Sequence, residues 1–478
     1  MATLSELFPE PVAASAPPPG VDEQQAALEV CRTEPFVDLS GTAGVGKTWV
    51  ARELAQDPSV MLCATTGIAS VNLGEGTTIN AALKYFDTAS MKDAFLKGYL
   101  QSQLRKLRRV GVRTLVLDEK SMLNADQLTY LVRALDDVNK GKGYDASLEG
   151  YNADEPIRGD PPMMGLVLVG DFGQLPPVPD KDPLTQKSLP VKFAFDSPEW
   201  ERFAKHRVVL TQIRRQTDRD FIGALHAVRR GDTRSALEFF TQTRFSEQID
   251  DQFGGTTIFA KNDAVDRYNA LRMDALRGRA LTYTSTRTGK QRGDWKLIPD
   301  VLTLKEGALV MVLANHRVYA NDEDEIGALL YCNGDLGTLL APQGLGWRVK
   351  LHRTGGEVNV LPITRHNTIP LEPGRRKELI EELGVDGAKA RIIDSRQEIV
   401  GSVSYMPLRC AYGCTVHKTQ GLTLDAVQVN LTDPFFRQPG MLFVALSRAR
   451  SASGLRIVGS PRGFAERCTV NGRVGRWL

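Results

Sequence analysis

The residues Gly41 to Thr48 read G-T-A-G-V-G-K-T, and no other stretch of this 478-residue chain restricts its fold so tightly. They match the phosphate-loop pattern G-x-x-x-x-G-K-[ST] at every defined position, a loop that works between a buried strand and the start of a helix. The flanks supply both: Phe36 to Leu39 is a short apolar run suited to a buried strand, and Trp49 to Leu54 has the spacing of a helix opening. Gly41, Gly44 and Gly46 let the backbone turn so that its N–H groups, Val45 included, converge on phosphate oxygens. The helix that follows adds the positive end of its dipole. Lys47 then places a charge on the β and γ phosphates, and Thr48 offers a hydroxyl to Mg²⁺. The expected ligands are a nucleoside triphosphate and Mg²⁺.

A chain of this length exceeds a single core and implies three or four domains. From Val21 to about Ala204, the strand candidates Val37 to Leu39, Val60 to Ala64, Thr114 to Leu117 and Leu166 to Val169 alternate with helical stretches. That pattern predicts a parallel sheet with helices on both faces. A second set, Thr257 to Ala260, Val427 to Leu431 and Leu455 to Gly459, predicts a second α/β domain. Between them the texture changes to short β-like runs (Ala308 to Leu313, Gly337 to Leu340, Trp347 to His352, Glu357 to Leu361) separated by turn residues, the mark of a small antiparallel barrel inserted into the second domain. The boundaries read as a flexible tail over 1–20, a first domain over 21–205, a second over 206–300 and 406–478, and the barrel over 301–405. Residues 137–165, rich in Gly, Asp and Pro, read as a surface loop.

Lys and Arg number 60 against 57 Asp and Glu, so a net charge of +3 provides no overall field for nucleic acid; any such binding must use local grooves. The six cysteines form no disulfide framework, which favours a reducing, cytoplasmic setting; the expected location is the cytoplasm of a bacterial or phage-infected cell, with a nuclear or organellar origin left open. Cys410, Cys414 and His417 fit no common zinc spacing. The first twenty residues lack the basic and apolar segments of a signal peptide, and no apolar run approaches the about 18 residues of a membrane span.

The strand Thr114 to Leu117 runs straight into Asp118-Glu119, and parallel sheets carry ligand chemistry at the carboxyl ends of their strands. Asp118 can hold Mg²⁺ while Glu119 orients and deprotonates the attacking water. After Leu166 to Val169 comes Gly170-Asp171-Phe172-Gly173-Gln174-Leu175-Pro176-Pro177-Val178. Together with Asp118-Glu119-Lys120-Ser121-Met122, this segment resembles the RecD and Pif-type DNA helicases of superfamily one, the five-prime to three-prime group. Glu23 to Ala27 resembles the family's Q motif, Ala64 to Ala69 and Gly76 to Ile79 its two DNA-contacting motifs of the first domain, and Leu210 to Gln216 motif four. Pro407 to Arg409 with Thr415 to Gly421 is similar to motif five, and Phe443 to Arg450 to motif six.

The resemblance implies two RecA-like parallel-sheet domains, the inserted barrel being SH3-like, with ATP cleaved in the cleft between them. It implies Gln24 on the adenine, Gly421 at the nucleotide, and Gln174, Arg215 and Arg448 at the γ phosphate, Arg215 reaching it from the second domain and Arg448 as arginine finger. It implies strand contacts from Thr65, Thr66, Thr78, Asn80, Thr415 and His417. Asn80 stands where many members have His, and Lys120 where an apolar residue is common. A small strand-splitting wedge is implied near 84–110, where Tyr85 and Phe86 read equally as wedge or as core; Arg105 to Arg109 reads as a charged helix face and Asp322 to Glu325 as a solvated loop. The expected function is that of a monomeric, ATP-dependent 5′-to-3′ helicase on single-stranded and forked or tailed duplex DNA, serving replication, repair or recombination. The alternative is a RecD-like motor or scaffold subunit with little unwinding alone; an RNA helicase is disfavoured by the Asp118 to Met122 and Gln174 to Val178 segments.

Overall fold

Strands buried on both faces must be apolar throughout, and the runs FVDLSG, TLVLD and GLVLVG meet that demand almost completely. In the computed structural model they form β1 (Phe36–Gly41), β4 (Thr114–Asp118) and β5 (Gly165–Gly170) of a six-stranded parallel sheet, with β2 (Val60–Ala64), β3 (Thr77–Thr78) and β6 (Arg207–Leu210) completing the order β3-β2-β4-β5-β1-β6. The structure describes residues 22–478 apart from 67–68, 70–72, 74–76, 142–162, 183–184, 242–244, 293–294, 297, 315, 319–327, 332–334, 353, 371–373 and 395–396. The expected tail over 1–20, most of the loop over 137–165, the acidic run Asp322 to Glu325, and Gly67, Ile68 and Gly76 lie outside the described residues.

The chain divides into two compact units. The first comprises Met1–Thr217, His226–Asp232 and Cys468–Leu478. Around its sheet lie α1 (Glu23–Thr33), α2 (Lys47–Leu54), α3 (Ile79–Leu83), α4 (Thr88–Leu96), α5 (Tyr99–Arg109) and α6 (Ala125–Asn139). The expected boundary at 205/206 moves, because β6 pairs in parallel with β1, Gly41 opposite Leu210, and so carries residues 206–217 into this unit. The last residues return to it as well. Trp477 stacks on Phe195 at 5.5 Å and crosses Trp200 edge-on at 5.4 Å, and Phe172 meets both Phe195 and Trp200, closing an aromatic cluster.

Over 84–110, α4 and α5 pack on α6 through buried Met91, Leu100 and Leu104, and Gln101 donates to Asp137 at 3.0 Å. Tyr85 is part of that core, whereas Phe86 is 89% exposed.

The second unit, Asp218–Leu225 with Thr233–Arg467, has its own all-parallel sheet. Its strands are β7 (Phe245–Ser246), β8 (Thr256–Phe259), β9 (Gly413–Thr415), β10 (Val427–Asn430) and β11 (Leu455–Val458), in the order β9-β8-β10-β11-β7. Between β8 and β9 lies α7 (Asn262–Asp274) and then a region of antiparallel pairing. This region starts earlier than the expected residue 301: Ala280–Thr284 pairs with Val301–Lys305, and Thr286–Gly289 with Gln397–Tyr405. Its core gathers Leu304, Val310, Val312, Leu339, Trp347, Val349 and Leu351. After β9 come α8 (Val416–Thr419) and, beyond β10, α9 (Met441–Leu446). Among the described residues no helix is long and apolar enough to cross a membrane.

Candidate nucleotide and strand-contact site

The loop after β1 takes its shape from glycine. Gly44 and Gly46 have φ of 88° and 90°, in the left-handed region that side chains disfavour. Space is equally short: a Cβ on Gly44 would sit 2.7 Å from the Cβ of Arg215, and one on Gly46 would collide with the Gln24 amide. Arg214 and Arg215 donate their backbone N–H groups to the Gly44 carbonyl at 2.8 and 3.2 Å. Arg215 therefore belongs to the first unit and lies over the phosphate loop, which corrects its expected placement in the second domain; the cause is β6, whose parallel pairing with β1 delivers the residues that follow onto the loop. Gln24 is buried, and its amide donates to the Val45 carbonyl at 3.4 Å. Glu23, beside it, accepts the N–H groups of Thr211 and Gln212 at 2.8 and 3.1 Å, fastening α1 to the same segment.

Lys47 opens α2 and donates from Nζ to the carbonyls of Gly41 and Thr42, both at 2.8 Å. Burial lowers its pKa to about 8, against the opposing pull of Asp171, Glu119 and Asp118. Those carboxylates sit at the ends of β4 and β5, so the sheet gathers one cation and three acids. Burial also raises the proton affinity of Asp118, although the Glu119 N–H (2.8 Å), Lys47 and the Thr48 hydroxyl favour its charged form. Thr48 and Asp118, the two expected metal ligands, are thus hydrogen-bonded neighbours. A buried carboxylate short of compensating charge beside a hydroxyl is the hard oxygen donor set that suits Mg²⁺. Among the described residues no group of three or more His, Cys, Asp or Glu could hold a metal, so phosphate oxygens and water would complete its shell.

Glu119 has φ 60° and ψ 45°, a left-handed conformation costly for a residue with a side chain. It is held from both sides. The Thr65 hydroxyl donates to its carbonyl at 3.0 Å, while the Thr65 N–H donates to the Asp118 carbonyl at 3.2 Å. On the other side Lys120, fully buried, drives its ammonium into β1, where it pairs with Asp38 and donates to the Ser40 hydroxyl. Ser40 donates to Asp38 at 3.2 Å, and Arg207 approaches the same carboxylate at 3.5 Å. Burial pulls the Lys120 pKa below the ordinary lysine range, against the attraction of Asp38. Two charges that each look misplaced, one in an apolar strand and one in an apolar motif position, are partners.

Gln174 lies buried in the turn after β5. The same turn reveals a pair absent from the sequence reading: Arg229 grips Asp171 with two nitrogens, Nη2 at 2.7 Å and Nε at 3.0 Å. Burial pushes the Asp171 carboxyl up, but Arg229 outweighs it and holds the group below the usual range. The Gly-Asp dipeptide was a signal for Asp171; nothing local marked Arg229, 58 positions away.

The first unit's strand-contact candidates share one sheet edge. Ala64 pairs with Thr78, so Thr65, Thr66 and Thr78 emerge together at the ends of β2 and β3. Thr66 and Thr78 accept N–H groups from Ala69 and Ala81 at 3.2 and 3.1 Å, and a hydroxyl that accepts can still donate its own proton. Thr65 differs, since its proton is already given to Glu119. Asn80 donates to the Phe86 carbonyl at 3.3 Å. In the second unit Thr415 caps α8 by accepting the Lys418 N–H at 3.3 Å, and His417 is half-buried, which lowers its pKa. Gly421 follows in a left-handed turn. Arg448 is 1% exposed: Nε donates to Val444 at 2.8 Å, Nη1 to Thr419 and Leu422 at 3.3 and 3.2 Å, and Nη2 to Ser447 at 2.8 Å.

Sheet order, phosphate loop and the acids at the strand ends define a P-loop protein with RecA-type α/β units. The model of the PIF1-like helicase family matches residues 30–238. The chain is 28% identical to the ATP-dependent DNA helicase PIF1 of Xenopus laevis, over 91% of its own length and 61% of that protein. It is also 28% identical to the ATP-dependent DNA helicase Pif1 of Bdellovibrio bacteriovorus, over 92% of its own length and 88% of that protein. The Bacteroides Pif1 structure in complex with ADP-AlF4 covers 96% of both chains with a TM-score of 0.69 at 24% identity, a likeness of fold. The chain is thus similar to the Pif1 helicases, over part of its length by the family model and over most of it by these relatives.

Proposed function

We propose that this chain is an ATP-dependent DNA helicase that moves 5′ to 3′ along single-stranded DNA and separates forked or tailed duplexes of any sequence. The observation that carries the proposal is the hydrogen bond from the Thr65 hydroxyl to the Glu119 backbone carbonyl at 3.0 Å, which joins a strand-contact motif to the residue whose carboxylate is expected to activate water. A shift of Thr65 on binding a phosphate moves the Glu119 backbone directly, so strand occupancy and hydrolysis are coupled through one side chain.

In this reading Lys47 and the loop N–H groups from Gly44 to Thr48 hold the β and γ phosphates, and Gln24 reads the base from the loop's flank. Thr48 and Asp118 hold Mg²⁺, which when bound neutralises phosphate charge. Glu119 orients water and accepts its proton, and Gln174 and Arg215 line the γ phosphate from the first unit. Arg448 is the arginine finger carried by the second unit; to reach a phosphate it releases carbonyls of Thr419 and Leu422, on either side of Gly421, so its movement alters the motif that carries Thr415 and His417. Phosphate contacts from Thr66, Thr78, Asn80, Thr415 and His417 carry no sequence information, which suits a translocating enzyme.

The deciding experiment is unwinding of forked duplexes by the purified chain. A 5′ tail should support strand separation that Lys47→Ala and Glu119→Gln abolish. Unwinding only from a 3′ tail would refute the polarity, and turnover of ATP by Glu119→Gln near the wild-type rate would refute the role of that carboxylate.

A further inference from the structure

Three adjacent strands of the second unit, β9, β8 and β10, end side by side, and their last residues deliver three groups to one edge. Thr415 pairs in register with Phe259, so the segment carrying Thr415 and His417 leaves the sheet beside the segment carrying Lys261. Next to them β10 leads into the loop Thr432 to Gly440. This loop is tied down: Asp433 accepts the Ala260 N–H at 3.2 Å and the Phe435 N–H at 2.9 Å, and Phe436 is buried beneath. What the loop then presents is Phe435, 57% exposed, with the Lys261 ammonium 3.0 Å from its ring centroid. Exposed Arg437 follows two residues later.

An isolated exposed aromatic needs no explanation, but this one is fixed in orientation. A cation covers one face of the ring, and a backbone-anchored loop holds it at the carboxyl ends of parallel strands, where such sheets bind ligands. The open face offers a flat apolar surface, and Lys261 and Arg437 supply positive charge at its margin. Aromatic faces lined by cations along a positive track are how single strands are held without sequence preference. We propose that Phe435 is a stacking platform for one nucleobase of single-stranded DNA and that Lys261 both orients the ring and meets the neighbouring phosphate, extending the path from Thr415 and His417. This inference rests on the helicase reading and adds to it a contact with a base rather than with the backbone.

The test measures binding of the full chain, by fluorescence anisotropy, to oligothymidylate and to an abasic oligonucleotide of equal length. Phe435→Ala should weaken binding to oligothymidylate about 5- to 150-fold, the range of one stacked base, and leave binding to the abasic strand unchanged. Phe435→Trp should retain affinity. Lys261→Ala should weaken both strands and lower the salt slope by about 0.7, one phosphate contact on a single strand. A Phe435→Ala protein that binds oligothymidylate like wild type, or that loses affinity equally for both strands, overturns the platform. If the wild type binds neither strand, the helicase reading falls with it; wild-type binding with an indifferent Phe435→Ala leaves that reading standing and removes the platform alone. Because the ring is exposed, Phe435→Ala should keep the wild-type melting temperature, so lost binding is not lost folding.

Discussion

Replacing Lys120 by Met keeps the length and apolar bulk of the side chain and removes only its charge, leaving Asp38 buried in β1. Removing one partner of a buried ion pair costs about 3–5 kcal/mol, because the remaining charge has neither water nor counter-ion. Here the Ser40 hydroxyl at 3.2 Å and Arg207 at 3.5 Å still face the Asp38 carboxylate, which places the expected loss near the lower end, about 3 kcal/mol. For a folding unit of this size that lowers the melting temperature by roughly 6–12 °C. The double variant Asp38→Leu with Lys120→Met removes both charges and should return to within about 1 kcal/mol of wild type, since apolar replacement of a whole buried pair is commonly neutral. Urea denaturation followed by circular dichroism, applied to wild type, Lys120→Met, Asp38→Leu and the double variant, gives the coupling energy directly. A single variant within about 0.5 kcal/mol of wild type, or a double variant no better than the single, would refute the assignment of Lys120 and Asp38 as partners.

The lowered pKa of Lys47, about 8, predicts that the nucleotide-free protein loses this charge as pH rises through 8, whereas bound phosphate anions restore it. Triphosphate binding at pH 8.5 should therefore take up a proton, seen as a binding heat that changes with buffer ionisation enthalpy; buffer-independent heat contradicts this, and Lys47→Met should abolish the uptake. Thr65→Val removes the donor to the Glu119 carbonyl and should lower DNA-stimulated kcat about tenfold, the worth of one hydrogen bond, with KM for ATP nearly unchanged. An unaltered kcat in steady-state assays would sink the coupling. Arg448→Lys deprives the Val444, Thr419 and Leu422 carbonyls of a planar donor and should destabilise the second unit by about 2 kcal/mol in addition to slowing turnover. Lost turnover with wild-type stability would show that the guanidinium serves phosphate alone.

The features legible from the sequence were those that chemistry confines to a few consecutive residues. The phosphate loop and the Asp118-Glu119 pair after a buried strand announce themselves locally, and the apolar runs of β1, β4 and β5 could hardly be anything but buried parallel strands. What escaped depends on residues far apart in the chain. Asp38 passed unremarked in an apolar run and Lys120 read as a departure in a motif, and only their pairing across 82 positions explains either. Arg229 sits on an amphipathic helix where any arginine would pass as solvated. The strand RVVL is four residues long and suits either sheet, so its periodicity could not say that it joins β1 and brings Arg215 onto the phosphate loop.

The return of the last residues to the first unit has a consequence for how the protein is made. Trp477 fills the aromatic pocket beside Phe172, Phe195 and Trp200, yet it is synthesised about 270 residues after β6. At roughly 5–20 residues per second, the first unit waits some 15–50 s on the ribosome with that pocket unfilled. During this interval the second unit emerges and can fold, so the unit whose sheet is synthesised first is the one completed last.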